Sequence, residues 1–155
     1  MSISRRGKIA LLTLIIFSLL VSGAVFADIR RLVLVTGEAT PALELNNKEV
    51  RWLFMGLPVV KNDKNIKPLL NASNALVYEV FLQKVIYMSG QNYERRLLAK
   101  VFRRGGRRPV TYQNLNRLLQ ALQTNPNAVS FMWQEIAEKH TNIKIVSTLW
   151  SGNID

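Results

Sequence analysis

Cysteine is absent from the 155 residues, histidine occurs once, and acidic side chains number 10 against 21 lysines and arginines. Without cysteine there can be no disulfide, thiolate nucleophile, iron–sulfur cluster or Cys-based zinc site. Burial of apolar side chains alone must therefore hold the fold, which a domain of this length can manage. The sequence also lacks a G-x-S-x-G elbow, an H-E-x-x-H pair, a Walker loop and a G-x-G-x-x-G turn, which removes the commonest hydrolase, zinc-protease and nucleotide-binding signatures. His140 follows Glu138 and Lys139 at an expected helix end, the ordinary place for a solvated histidine beside the C-terminal dipole. Glu135 and Glu138, at i and i+3, read as one wet helix face. No catalytic residue, metal ligand or cofactor is expected, and the chain reads as a non-enzyme.

What is present begins with targeting. Arg5, Arg6 and Lys8 precede an apolar run from Ile9 to Leu20, then small residues and Val25-Phe26-Ala27, the layout of a secretory signal peptide. Cleavage after Ala27 leaves 128 residues with 18 basic against 10 acidic side chains, a net charge of +8. A retained anchor helix is the alternative, since Ile9 to Ala27 approaches the ~20 residues a membrane span needs. In either case residues 28–155 form one exported, periplasmic domain, and with no cysteine at the cleavage site a lipid anchor is excluded.

Hydrophobic periodicity then places the elements. Residues 31–36 are β-branched and aliphatic and stop at Gly37, as a largely buried strand does. From Asn46 to Gly56, Val50, Leu53, Phe54 and Leu57 recur at helical spacing, with Asn46 or Asn47 as cap. Pro58 to Lys67 reads as a loop and Ile66 to Leu70 as a short strand, after which Ser73 is the expected cap of a helix over Ala75 to Met88. A further helix over Asn92 to Phe102 would bury Tyr93, Leu97, Leu98, Val101 and Phe102, with Arg96, Lys100 and Arg103 opposite. Thr111 would cap a helix carrying Leu115, Leu118, Leu119 and Leu122, ended by Asn125-Pro126-Asn127. A strand over Ala128 to Trp133, a short helix to His140 and a strand over Ile143 to Leu149 complete the chain. Strands alternating with helices give an α/β fold, a mainly parallel sheet flanked by helices.

Two local features carry candidate function. Between Arg95 and Gln134 there are eight basic residues, Arg95, Arg96, Lys100, Arg103, Arg104, Arg107, Arg108 and Arg117, and no acidic one. This is either a solvated face or a surface for anionic headgroups, lipopolysaccharide-type phosphates or an acidic protein partner. Export disfavours nucleic acid. The second feature is the turn Asn71-Ala72-Ser73-Asn74 ahead of an apolar helix, where backbone amides at a helix start attract anions, although every capped helix offers such amides. Trp52, Trp133 and Trp150 have no regular spacing and read as core or rim residues.

The order EVRWLFMG, IKPLL, NYERRLLAKVFRRGGRRP and NLNRLLQALQTNPNAVSF resembles the short periplasmic proteins of the phosphate-transporter substrate-binding-like group, single-lobe relatives of the phosphate-binding periplasmic proteins. The resemblance spans about Leu32 to Leu149, and its markers are Trp52 to Gly56, Phe102 with Gly105-Gly106 and Pro109, and Asn125 to Phe131. It implies one lobe of a type-II periplasmic-binding-protein-like fold, no catalysis, and recognition of phosphate or a related oxyanion linked to uptake or sensing. Two departures stand out. Full-length binding proteins of that kind hold the anion between two lobes, and this chain has length for one. Of the family's Arg-x-Asp-x-Ser-Gly-Thr-type segment, Leu70 to Ala75 keeps only Ser73.

The expected ligand contacts are therefore Ser73 and Asn74, joined by Thr36 and Gly37 if the first strand ends at the same sheet edge, because ligands in open α/β sheets lie beyond the strands' carboxyl ends. The rival expectation is an adaptor docking through the basic stretch from Arg95 to Arg117. A permease partner is left open by the sequence.

Overall fold

A computed structural model describes residues 29–104 and 107–154, without the side chains of 101 and 104. The signal or anchor segment expected over 1–27 lies outside the described residues. Among those described, no helix is long and apolar enough to cross a membrane.

In chain order the elements are β1 (Arg30–Gly37), α1 (Asn47–Phe54), a hairpin of β2 (Val60–Lys61) and β3 (Lys64–Asn65), β4 (Lys67–Asn71), and α2 (Ala75–Phe81), which runs on as a π-helical segment, Leu82–Ile86. Then come α3 (Gly90–Arg104), β5 (Val110–Tyr112), α4 (Leu115–Thr124), β6 (Ala128–Trp133), α5 (Gln134–Ala137) and β7 (Ile143–Gly152). Five strands form one sheet in the order β5-β4-β6-β1-β7. β4 pairs in parallel with β5 and β6, whereas β1 is antiparallel to both β6 and β7. Four strands thus share one direction, and only β1, wedged between β6 and β7, runs against them. The mixed α/β architecture with a mainly parallel sheet and flanking helices is the one the alternation of elements predicts.

The continuous apolar runs of β1 and β6 follow from burial on both sheet faces, which relieves a strand of any need for polar alternation. Leu32 and Leu34 face one layer with Val129, Phe131 and Trp133, packed under α1, α2, the π segment and α3. Val33 and Val35 face the other with Met132, under α4 and α5. In the first layer the Phe81 and Phe131 rings stack with centroids 3.6 Å apart, and Phe54 meets both edge-on. At the far end of β1, a Cβ on Gly37 would stand 2.2 Å from the Leu122 carbonyl oxygen, so the absent side chain sets how closely α4 approaches the sheet.

Several local expectations need correction. Asn74, not Ser73, caps α2, its side chain accepting from the Val77 amide. Asn114, not Thr111, caps α4, and Thr111 is instead in β5. Asn accepts from the second or third helical amide as readily as Ser or Thr, so adjacent capping residues compete closely. The expected loop over 58–67 holds the β2–β3 hairpin, turned by Asn62 and Asp63 at positive φ, a conformation Asn and Asp tolerate better than most residues. The final helix is a single turn rather than a run to His140. On α3, Tyr93 and Leu97 are buried, but Leu98 is 42% and Phe102 85% exposed. At about 100° per residue Phe102 points roughly 180° from Tyr93, away from the sheet.

Candidate functional site

The parallel strands bring their carboxyl ends to one edge of the sheet, the place where open α/β sheets hold ligands. There a cleft of about 390 Å³ opens between the start of α2, with Ser73 and Asn74, and the start of α4, with Gln113 and Asn114. Met132 and Trp133, at the end of β6, line it from the sheet side. Among the described residues no charged side chain lines this cleft. Its electrostatics come from the starts of two helices, whose dipoles and amides favour an anion.

Asn71, the last residue of β4, fixes the rim. It is 2% exposed, and its Nδ2 donates to the Phe131 carbonyl at 2.9 Å, tying β4 to β6. Its Oδ1 accepts from both the Ser73 amide at 3.1 Å and the Ser73 hydroxyl at 2.6 Å. The chain is thereby turned from strand to helix with Ser73 held at the cleft mouth. In the sequence Asn71 stands out only as part of a turn, and the sole signal of this role is a single amide at the end of an apolar strand.

Ser73 and Asn74 are thus brought together, and Thr36 and Gly37 are not. Because β1 is antiparallel to β6, Thr36 pairs with Val129 near the start of β6, while Asn71 reaches Phe131 near its end. The Thr36 hydroxyl, 3% exposed, donates to the Ala128 carbonyl at 2.7 Å and lies 2.9 Å from the Thr40 hydroxyl. Thr36 therefore closes the sheet's opposite end and cannot join Ser73 around one ligand.

The basic stretch divides as well. Arg95, Arg96, Lys100 and Arg103 project from α3, whereas Arg117 is on α4, on the other side of the sheet. Arg108 pairs with Glu94, Arg95 bonds Asn92, and Lys100 Nζ donates to the Met55 carbonyl at 3.1 Å. Arg107 is exposed in the segment before β5, and the Arg104 side chain lies outside the described residues. Among the described residues no group of His, Asp and Glu is arranged to hold a metal ion.

Two phenols beneath α3 are perturbed. Burial pushes Tyr93 well above the usual tyrosine range, and its hydroxyl donates to the Phe54 carbonyl at 2.6 Å. Burial also raises Tyr78. Tyr93 thereby ties α3 to the end of α1, and Tyr78 packs, half-buried, against the same core layer.

No protein-family model matches the chain, and no curated protein sequence does. Solved structures do. Over 77% of its length the chain superposes on an ABC-type phosphate transport receptor from Vibrio cholerae with a TM-score of 0.53 and 14% identity, covering 46% of that chain. A possible phosphate binding protein from Planctomyces limnophilus aligns over the same share at 0.54 and 18% identity, with 42% of it covered. PstS from Borrelia burgdorferi gives 0.55, 11% identity and 47% coverage. The chain spans less than half the length of each, and what it shares with them is the α/β fold of phosphate-binding-protein structures.

Proposed function

We propose that this chain is a non-catalytic, periplasmic anion-binding module, one lobe in extent, which takes phosphate or a related oxyanion at the cleft beyond β4 and β6. The observation that carries the reading is the meeting of two Asn-capped helix starts with Ser73 at the carboxyl edge of the parallel strands. The likeness in fold to structures described as phosphate receptors supports the choice of oxyanion. The anion contacts would be backbone amides at the two helix starts, the Ser73 hydroxyl and the Asn74 turn. Thr36 and Gly37 take no part.

The cleft between the two helix starts is open to solvent, so water and salt compete with the ligand and affinity should be weak. Export of residues 28–155 belongs to the same proposal, as does a link to phosphate uptake or sensing through a substrate-binding-like role.

Calorimetric titration of the chain with phosphate and with sulfate, at low and moderate salt, tests the reading. Saturable, phosphate-selective heat that survives moderate salt supports it; no heat with either anion rejects it. Ser73→Ala should weaken phosphate about five- to tenfold, because on binding the hydroxyl exchanges its neutral bond to Asn71 for a stronger charge-assisted one.

A further inference from the structure

We infer that the outer face formed by α1 and α3 docks on a bilayer surface bearing anionic phospholipids. This face shares no residue with the oxyanion cleft and does not depend on it.

Its apolar part consists of rings and aliphatic tips that stand out from convex helices. Phe102 is 85% and Leu98 42% exposed on one stripe of α3, while Trp52 on α1 is 45% and Tyr87, just before α3, 68% exposed. Single exposed apolar residues are unremarkable, but three on two adjoining helices and a fourth just before α3 call for a partner. The two helices are joined: Tyr93 on α3 bonds the Phe54 carbonyl at the end of α1, and Lys100 bonds the next carbonyl, that of Met55.

The charged part is of one sign. The same two helices carry Lys48 and Arg51 on α1, and Arg95, Arg96 and Arg103 on α3. The two helices carry one acidic residue each, and both are already neutralised from outside the face, Glu49 by Lys61 at 2.7 Å and Glu94 by Arg108. Lys48 Nζ lies 4.8 Å from the centre of the Trp52 ring, and the Arg51 guanidinium 5.2 Å from that of Tyr87. Each pair sets a ring body and a cation side by side, the chemistry of a headgroup layer, where rings reach towards the acyl chains and cations stay with phosphates. Between the helices, Arg96 and Arg103 border a shallow hollow of about 370 Å³ whose floor includes Met55 and Leu57, a combination that suits a phosphodiester above an apolar base. A face of this kind binds by apolar insertion together with attraction to anionic lipid. An acidic protein partner would satisfy the charges but would leave Phe102 and Trp52 to find apolar pockets of their own.

The test uses the full chain with vesicles of brominated phosphatidylcholine, with or without phosphatidylglycerol, and reads quenching of Trp52. Because the N-terminal apolar segment is present in every sample and adds the same background to both lipid compositions, the readout is the part of the signal that depends on phosphatidylglycerol. Phosphatidylglycerol should produce quenching that phosphatidylcholine alone does not, that high salt reduces, and that Trp52→Phe abolishes. Arg96→Glu with Arg103→Glu should lower vesicle partitioning tenfold or more, and Phe102→Ser should lower it severalfold, all with unchanged circular dichroism. Equal quenching in both lipid compositions, or partitioning unaffected by the charge reversals, would overturn the inference. So would binding to polyglutamate without binding to vesicles.

Discussion

Asn71 and Ser73 share a single acceptor: Oδ1 of Asn71 takes both the amide and the hydroxyl of Ser73, while the other end of the same side chain holds the Phe131 carbonyl. Asn71→Ala leaves three groups without that partner, one of them a carbonyl between strands, so it should destabilise the fold by ~1–3 kcal/mol. The check is the urea midpoint. Asn71→Asp restores the acceptor but sets a carboxylate oxygen against the Phe131 carbonyl, so its deficit should shrink as the pH is lowered far enough to protonate it.

The Phe81 ring stacks on Phe131 and meets the edge of Phe54. Phe81→Ala should cost about 3–5 kcal/mol and Phe81→Leu clearly less, because the cavity left by truncation adds to the lost transfer energy. Denaturant unfolding of the two variants measures the gap, and equal losses would deny the rings their central place in the core.

Burial raises the phenols of Tyr93 and Tyr78, so both should ionise late. A phenol whose pKa is raised by folding stabilises the native state below the unfolded value of about 10, and that contribution is lost as the pH climbs above it. Ultraviolet titration should therefore show phenolate formation at Tyr93 and Tyr78 delayed until alkaline unfolding. Tyr93→Phe should remove one delayed phenol and cost roughly 1 kcal/mol for the bond to Phe54.

Glu49 returns the Asn46 cap by accepting the Asn46 amide at 3.0 Å, and its bond to Lys61 and then that amide hold its carboxyl below the usual range. A depressed carboxylate stabilises the fold above its ordinary pKa, and this is lost as pH falls through the folded value. Glu49→Gln should therefore be less stable than the parent near neutrality and converge with it in acid. The difference should stay within ~0.5–1 kcal/mol because the pair is near the surface.

Gly37→Ala would drive a methyl into the Leu122 backbone. Since the obstacle is main chain, relief requires α4 to move, and a loss of ~1–3 kcal/mol is expected. A thermal melt equal to that of the parent would show that α4 shifts freely.

Much of this arrangement could be read from the sequence where one physical signal dominated. The apolar runs of β1 and β6 marked buried strands, and Asn46 or Asn47 marked a helix start that the structure closes at Asn46, with Glu49 completing a reciprocal cap. Competing signals were harder to resolve. Ser73 and Asn74 are both good caps, and only the claim of Asn71 on the Ser73 hydroxyl decides between them. Leu98 and Phe102 look like core residues by type, yet their angular position on α3 takes them outwards. The direction of β1 is a property of the whole sheet, written in no local pattern, and it is what parts Thr36 from Ser73. Half of the expected ligand set was lost to that one topological fact.

The reversed strand has a further consequence, for assembly. Among the described residues β1 is the first strand, and its partners on either side are the last two, β6 and β7, more than ninety positions away along the sequence. The apolar segment Leu32 to Val35 must therefore wait, unpaired, until β6 and β7 are available. Folding of this kind is slow, because distant ends must meet before their contacts are rewarded. Through that interval the Leu32 to Val35 segment would be exposed to any hydrophobic surface that reached it first.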